Sequence, residues 1–423
     1  MYLRRLALFL AVLPLCAQDR TGAIEQIDIL ATSHTDVGFT DQPSVTRELQ
    51  KRFLDIALDA CLRSASRPPG ERYYWTAEAT LTVFDWWNSA SPERRAQLLQ
   101  AVRGGQMDIG ALSCNNTPFM EAQEWDKSVA WLPDELRRAV SPRTAIQDDV
   151  NGFPRAGAIR LLDRGITRLA MGINSDSGGR PFPAPGAFWW KMPDGRRMFV
   201  YLVQHYGTGY NLFEPKSWIM GTSPRAGNTF LRPPRPGEFF RTDEQSLRAA
   251  HRLCLEQLAK IEAGGYKLPH LIVSVTNQWR WDNDPPFTAL VDFIGAWNRL
   301  GLKPVLRFTT ASKALADLER QSGAQLPVHE GEWTDYWANG SMSAPREVAA
   351  SRLAKRLLHA AQSEAWGPFD ATARKQADQI LRDLVLFDEH TWGSADSILL
   401  SDSLDTLAQF TEKSALAYQP MGR

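Results

Sequence analysis

The feature that most constrains the fold of this chain is a regular alternation of short apolar runs with longer amphipathic stretches. The short runs are rich in residues that favour β-strands. They lie at residues 27–32, 73–75, 107–112, 144–147, 168–172, 198–203, 271–275 and 304–308. Amphipathic stretches with helical periodicity, such as 44–62, 92–102 and 288–300, separate several of these runs. This order is typical of right-handed βαβ units, so we predict an α/β fold whose parallel sheet closes, or nearly closes, into a barrel.

The pattern becomes purely helical near the C-terminus. The stretch 345–366 carries apolar residues on one face and ends before a glycine, and Asp370 is placed to cap the helix that follows. Together with a third amphipathic stretch, these helices cannot bury their apolar stripes alone, so they should pack on one another and on the barrel. For this chain of 423 residues, we predict an α/β domain over residues 18–340 and a three-helix bundle over residues 341–423.

Residues 1–17 have the pattern of a secretory signal peptide. Two arginines precede an apolar stretch over residues 6–15, and polar residues begin at Gln18. The apolar stretch is shorter than the roughly 18 residues that cross a bilayer as a helix, so we expect no stable membrane span. Because the bulky Leu15 precedes Cys16, a lipoprotein anchor is disfavoured. We expect a secreted or periplasmic protein.

The charge balance and the cysteines exclude several classes of function. Lysine plus arginine and aspartate plus glutamate each total 48, so no net field favours nucleic acid or an anionic membrane as a partner. Beyond the signal peptide the cysteines are Cys61, Cys114 and Cys254. Their odd number and wide spacing fit neither a disulfide framework nor a thiolate metal site. Any metal in this protein would therefore be bound by nitrogen and oxygen.

Four residues are candidates for such a metal site. His34 and Asp36 stand two residues apart at the C-terminal end of the first predicted strand, so both side chains point to one side and can approach one cation. Asp149 follows a later strand, and His390 follows the second bundle helix. Active sites of barrels collect at the C-terminal ends of the strands, where three of these residues fall.

Each of these residues also has a simpler interpretation. His34 and Asp36 can be a hydrogen-bonded polar pair at a strand end, and Asp149 can be a turn carboxylate ahead of Gly152. His390 can interact with the dipole at a helix C-terminus. The order and placement of the four together, rather than any one residue, favour a shared site.

That order carries a resemblance to a known family. The sequence His-Thr-Asp-Val-Gly-Phe at residues 34–39 resembles the opening motif of glycoside hydrolase family 38, the α-mannosidases, in which the His and the Asp bind zinc. Asp-Val-Asn-Gly at 149–152 is similar to the family's Asp-x-Phe-Gly, whose Asp is both nucleophile and metal ligand. Other similar segments are 73–87 and 103–122, which resemble the second and third strand regions, and 362–365 and 388–393, which resemble the bundle stretch whose His completes the zinc site.

The resemblance runs from about residue 27 to residue 397 and implies both a fold and a chemistry. The implied fold is a barrel of seven parallel strands followed by a three-helix bundle. The implied cofactor is one Zn²⁺, or another divalent metal, bound by His34, Asp36, Asp149 and His390. The implied activity is that of a retaining glycoside hydrolase, α-mannosidase-like, acting on a carbohydrate with Asp149 as the nucleophile.

The chain departs from the family pattern in three places. Phe39 stands where the family has a tryptophan, and Glu389 stands where a second histidine usually precedes the metal-binding one. The large β-rich C-terminal region of the mannosidases, which contributes to their substrate site, has no counterpart in this chain. The sugar and the linkage are therefore not implied by the resemblance.

The general acid and the substrate contacts are assigned on weaker patterns. The resemblance places the acid after the strand at 271–275, where Asp282 matches best and Asp284 second. A register that places Asn277 there would leave no acid, because an amide cannot protonate a leaving group. The same loop can also be a simple turn. Indole rings stack on the faces of sugars, which adds Trp281, Trp337 and Trp392 as candidate substrate contacts. Phe39, in the opening motif, and Asp284, the second candidate acid, are further candidate substrate contacts.

Two other functions fit the same residues. A metal-dependent carbohydrate esterase or deacetylase would use a His/Asp-bound metal to activate water. A non-catalytic carbohydrate-binding protein would need neither the acid nor the nucleophile.

Overall fold

The computed structural model describes residues 22–174, 182–203, 205–214, 239–276, 283–334, 344–363, 367–391 and 402–422. The predicted signal peptide, residues 1–17, lies outside these ranges. The strands of the described part are β1 (Gln26–Ala31), β2 (Trp75–Ala77), β3 (Met107–Ile109), β4 (Thr144–Asp148), β5 (Arg168–Gly172), β6 (Gly186–Lys191), β7 (Arg197–Val203), β8 (His270–Val275), β9 (Val305–Thr309) and β10 (Val328–Glu330).

The helices of the described part connect these strands and then continue alone. They are α1 (Pro43–Ser64), α2 (Thr80–Ser89), α3 (Pro92–Arg103), α4 (Ala122–Val129), α5 (Asp134–Val140), α6 (Arg155–Asp163), α7 (Thr208–Phe213), α8 (Glu244–Ala263), α9 (Leu290–Arg299), α10 (Ala311–Ser322), α11 (Pro345–Ala361), α12 (Ala371–Phe387) and α13 (Leu404–Gly422). The predicted cap of α12 is present, since Asp370 accepts a hydrogen bond of 2.8 Å from the N–H of Ala373. Across the described ranges, no helix combines the length and the apolar character that crossing a membrane requires.

The strands form three sheets, with the orders β8-β1-β9, β10-β6-β7-β5-β4 and β2-β3. Neighbouring strands are parallel except β6 and β7, which pair antiparallel. The predicted α/β class is confirmed, but the seven-stranded barrel is not, because within the described ranges the sheets are small and separate. One physical reason is that β2 and β3 are only three residues long and pair only with each other, so they add no continuous ladder to the neighbouring sheets.

The sheets nevertheless share an apolar interior, and this explains the consecutive apolar residues 29–31 of β1. Leu30 of β1 lies in one buried cluster with Ile272 of β8 and Ile146 of β4. Ile29, on the other face of β1, belongs to a second cluster that includes Leu54 of α1. A parallel strand buried on both faces needs apolar residues at every position instead of at alternate ones.

Helices α11, α12 and α13 pack on one another, and they also contact the α/β part of the chain through α12 with α4 and α13 with α1. An ion pair between Lys127 of α4 and Asp378 of α12 adds to this contact. The residues that follow α12 are thereby brought to the carboxyl ends of β1 and β4.

Candidate metal centre

Four side chains from distant parts of the chain meet at one point. Donor atoms of His34, Asp36, Asp149 and His390 all lie within 4.8 Å of one another. Asp36 Oδ1 is 3.1 Å from His34 Nε2 and 3.3 Å from His390 Nε2, which is also 3.2 Å from Asp149 Oδ2. The histidine side chains are fully buried, and the side chain of Asp149 is 13 % exposed. The structure thus brings together all four residues that the sequence singled out.

Strand ends position three of these residues, and a short pairing positions the fourth. His34 and Asp36 follow β1, and Asp149 follows β4, so they share one edge of the fold. His390 comes after α12, where its N–H donates to the carbonyl of Asn115 at 3.0 Å. Asp149 has a φ of 68°, a left-handed conformation that aspartate tolerates better than most residues.

The donor set fits a divalent cation such as Zn²⁺. His34 Nε2 is buried and, among the described residues, has no hydrogen-bond partner although Asp36 Oδ1 is 3.1 Å away. A buried imidazole nitrogen that faces carboxylate oxygens without a hydrogen bond is suited to donate its lone pair to a metal. Two imidazole nitrogens and two carboxylates are ligands that zinc accepts.

Glu78 orients His34 from the side opposite the other ligands. Its Oε2 lies 3.1 Å from His34 Nδ1, and its Oε1 accepts a hydrogen bond of 3.2 Å from the N–H of Thr35. The ring of His34 also stacks on Tyr206 at 4.3 Å between centroids. A proton on Nδ1 that is donated to Glu78 leaves Nε2 free to bind the metal, the arrangement that metal-binding histidines commonly adopt.

Glu389 is the corresponding carboxylate beside His390, at an ion-pair distance. Its Oε1 lies 2.7 Å from His390 Nδ1, and its Oε2 accepts a hydrogen bond of 2.7 Å from Lys413 Nζ. The residue that departs from the family pattern is therefore a direct partner of a candidate ligand. The sequence analysis did not identify Glu78 or Lys413. The position of Glu78 directly after β2 is a signal for it, whereas no motif or spacing points to Lys413.

Asp149 is held as a carboxylate. Its Oδ1 accepts hydrogen bonds from Asn174 Nδ2 at 2.7 Å and from the hydroxyl of Tyr206 at 3.1 Å. Burial by itself would raise the pKa of Asp149, but the hydrogen bond and charge of His390 outweigh burial and hold the pKa below its ordinary value. An ionised oxygen can therefore serve as a ligand or a nucleophile. Asn174 and Tyr206 were not identified from the sequence.

The carboxylates also change the protonation of the centre. Burial would lower the pKa of His34, but the charges of Glu78 and Asp36 outweigh it and raise the pKa well above its ordinary value. The pKa of His390 is raised in the same way, with Glu389 as the main opposing charge.

The structure describes only two of the remaining predicted site residues. Asp282, Trp281, Trp337 and Trp392 lie outside the described residues. Asp284 is fully buried, and Phe39 is half-buried with a φ of 60°.

Asn283 is a site residue that the sequence analysis missed. Its Oδ1 accepts a hydrogen bond of 3.1 Å from the N–H of Asp36, and its Nδ2 donates to Asp36 Oδ2 at 3.3 Å. Residue 283, which lies between the two candidate acids in sequence, therefore contacts a candidate metal ligand.

Comparison with known proteins agrees with this geometry. Residues 25–332 match the family described as "Glycosyl hydrolases family 38 N-terminal domain". An alpha-mannosidase from Enterococcus faecalis V583 superposes with a TM-score of 0.66 at 15 % identity, over 94 % of this chain and 41 % of that one. A protein in the glycosyl hydrolase family 38 from Enterococcus faecalis gives a TM-score of 0.55 at 13 % identity, over 95 % of this chain and 40 % of that one.

These structural similarities show a shared fold, and the chain spans about two fifths of the length of either solved structure. No curated protein matches the chain in sequence.

Proposed function

Since the chain belongs to glycosyl hydrolase family 38, we propose that it is a metal-dependent retaining glycoside hydrolase that acts on α-mannosides or related glycosides. The family membership confirms the resemblance that the motifs indicated. The observation that carries the proposal is the convergence of His34, Asp36, Asp149 and His390 on one point. Two imidazoles and two carboxylates are a donor set that Zn²⁺ accepts in proteins, and here their donor atoms all lie within 4.8 Å of one another.

The four residues would bind one Zn²⁺ through the Nε2 atoms of the two histidines and one oxygen of each aspartate. When bound, such an ion orients the sugar and polarises its hydroxyls. The protein itself supplies the nucleophile, because the carboxylate of Asp149 is ionised and is fixed by hydrogen bonds from Asn174 and Tyr206. Attack by Asp149 on the anomeric carbon forms a glycosyl-enzyme.

The departing oxygen needs a proton, and in this proposal Asp282 donates it. The next residue, Asn283, contacts Asp36, and this contact supports the choice of an acid from this segment of the chain. After the leaving group departs, the same carboxylate would activate the water that releases the sugar. Retaining chemistry requires the carboxyl groups of Asp149 and Asp282 to lie about 5 to 5.5 Å apart.

The experiment that tests the nucleophile uses aryl α-mannosides and related aryl glycosides. A retaining enzyme that accumulates its glycosyl-enzyme releases the aglycone in a burst of one equivalent per site. Asp149→Ala should remove the burst and lower turnover by about four orders of magnitude. Asp194→Ala is the matched control, because Asp194 lies in the exposed turn between β6 and β7, where it pairs with Arg196.

Other outcomes would contradict the proposal. Near-normal turnover by a folded Asp149→Ala variant would exclude Asp149 as the nucleophile. Release of acetate from acetylated sugars without any burst would indicate an esterase or deacetylase. Glycan binding without turnover, unchanged in Asp282→Asn, would indicate a carbohydrate-binding protein.

A further inference from the structure

A chain of buried charges extends from the metal centre into the third helix of the bundle. His390 Nδ1 is 2.7 Å from Glu389 Oε1, and Glu389 Oε2 is 2.7 Å from Nζ of Lys413 on α13. All three side chains are at most 3 % exposed. A lysine and a glutamate are rarely buried to this extent unless they pair with each other.

Glu389 is held in one orientation by groups on both of its oxygens. Besides facing His390, Oε1 accepts a hydrogen bond of 3.3 Å from the N–H of Val37. Oε2 accepts from the hydroxyl of Thr391 at 2.6 Å and from Lys413. Val37 directly follows Asp36, so this carboxylate joins the two segments that carry ligands from opposite ends of the chain.

Lys413 is the cation that balances Glu389. Without the ammonium group of Lys413, the carboxylate of Glu389 would be a buried anion with no lysine beside it. A buried anion without a counter-ion is unfavourable in a medium of low dielectric constant. The side chain of Glu389 would then lower its free energy by turning toward water or toward other hydrogen-bond donors. Either movement takes the carboxylate away from His390 Nδ1, and the imidazole ring loses the ion-pair contact that holds Nε2 toward Asp36 and Asp149.

We infer that Lys413 is a positioning residue of the metal centre: it fixes Glu389, and Glu389 in turn fixes the ring of His390. The inference rests on the proposed function only in taking the four residues as metal ligands. It makes α13 a part of the centre although this helix supplies none of the proposed ligands. Lys413 is 24 residues from Glu389 in sequence, and α13 packs on both α11 and α12.

The bundle offers a matched control for this lysine. Lys355 of α11 is also 3 % exposed and also pairs with a buried carboxylate, that of Asp388. It donates a second hydrogen bond of 3.0 Å to the carbonyl of Phe119. Lys355 pairs with Asp388, whereas Lys413 pairs with Glu389. Replacing Lys355 therefore perturbs folding without affecting the carboxylate that faces His390.

The test measures zinc affinity of the full chain without any substrate. Purified protein is stripped of metal, and Zn²⁺ is titrated in competition with a chromophoric chelator for the wild type, Lys413→Gln, Glu389→Gln and the double variant. Loss of an outer partner of a metal-binding histidine typically weakens affinity about 10- to 100-fold. We expect this loss in either single variant. The double variant should lose no more than the weaker-binding single variant, because Lys413 acts through Glu389.

Lys355→Gln should retain zinc affinity within about twofold of the wild type, and circular dichroism establishes that each variant is folded. Wild-type zinc affinity in folded Lys413→Gln would overturn the inference, as would losses that add in the double variant. If Lys413→Gln does not fold, wild-type affinity in Glu389→Gln overturns it equally. A wild-type protein that binds no metal would instead overturn the proposed function itself.

Discussion

Gly110 provides the sharpest test of how the centre is supported, because it lies against the backbone of Glu78. Gly110 follows β3, and its N–H donates to the carbonyl of Ala77 at 2.8 Å. A Cβ atom at this position would lie 2.1 Å from the carbonyl oxygen of Glu78 and 3.1 Å from its carbonyl carbon. Since ordinary contacts between such atoms begin near 3.5 Å, the backbone of Glu78 must retreat by more than about 1 Å in Gly110→Ala.

That retreat acts on the metal centre through the carboxylate of Glu78. Its bonds to His34 Nδ1 and to the N–H of Thr35 are 3.1 and 3.2 Å long, so a displacement of ~1 Å disturbs the geometry of both. Overpacking of this kind costs about 1–3 kcal/mol of stability. Loss of the acceptor of a ligand histidine should weaken zinc binding about 10- to 100-fold.

Gly70→Ala is the matched control, because a Cβ at Gly70 meets no atom within 4 Å. Denaturant unfolding and zinc titration are measured on both variants beside the wild type. The reasoning is refuted if Gly110→Ala unfolds at the wild-type denaturant concentration. If Gly110→Ala is destabilised but binds zinc with wild-type affinity, the overpacking argument stands, and only the claim that Glu78 supports His34 in zinc binding is refuted.

Two further predictions concern groups away from the metal centre. Burial raises the pKa of the Cys61 thiol from 9.0 to about 12. Because the thiol ionises more easily in the unfolded chain, the stability that the protonated thiol contributes is complete below pH 9 and is lost as the pH rises toward 12. Between pH 8 and 10.5 the unfolding free energy of Cys61→Ala should fall less steeply with pH than that of the wild type. Equal slopes in the two proteins would contradict this prediction. Arg307 binds both oxygens of the buried Asp28 at 2.7 and 2.6 Å. Arg307→Met should lower the unfolding free energy by about 3–5 kcal/mol, with partial recovery in Arg307→Met/Asp28→Asn, and a loss below about 1 kcal/mol would be inconsistent with an unpaired buried charge.

Strands buried on both faces were the part of the fold that sequence patterns predicted best. The run at 168–172 coincides with β5, and the run at 271–275 differs from β8 by one residue. β6 and β10 were not predicted. β6 forms an antiparallel hairpin with β7 through a tight connection. Its burial alternates over residues 187–191, but apolar residues stand at consecutive positions, so the sequence itself shows no alternation. Its place in the sheet is set by pairing with β7 and β10, which no local pattern encodes.

The convergence of the candidate ligand residues was predictable, whereas the residues that contact them from behind were not. His34, Asp36 and Asp149 follow strands whose ends meet at one edge, so their residue types and positions suffice to propose a site. Glu78 had a comparable position but no partner that could be named in advance.

The sequence by itself determined most of the segments that become buried strands and the candidate metal-binding residues that follow them, because hydrophobic periodicity and residue type are local properties. Only the tertiary structure decided that the strands form three small sheets and that Lys413 balances Glu389 beside His390. Such pairings depend on the distance between groups in the folded chain. The contact between Val37 and Glu389 spans 352 residues of sequence, a separation at which no periodic pattern specifies a partner.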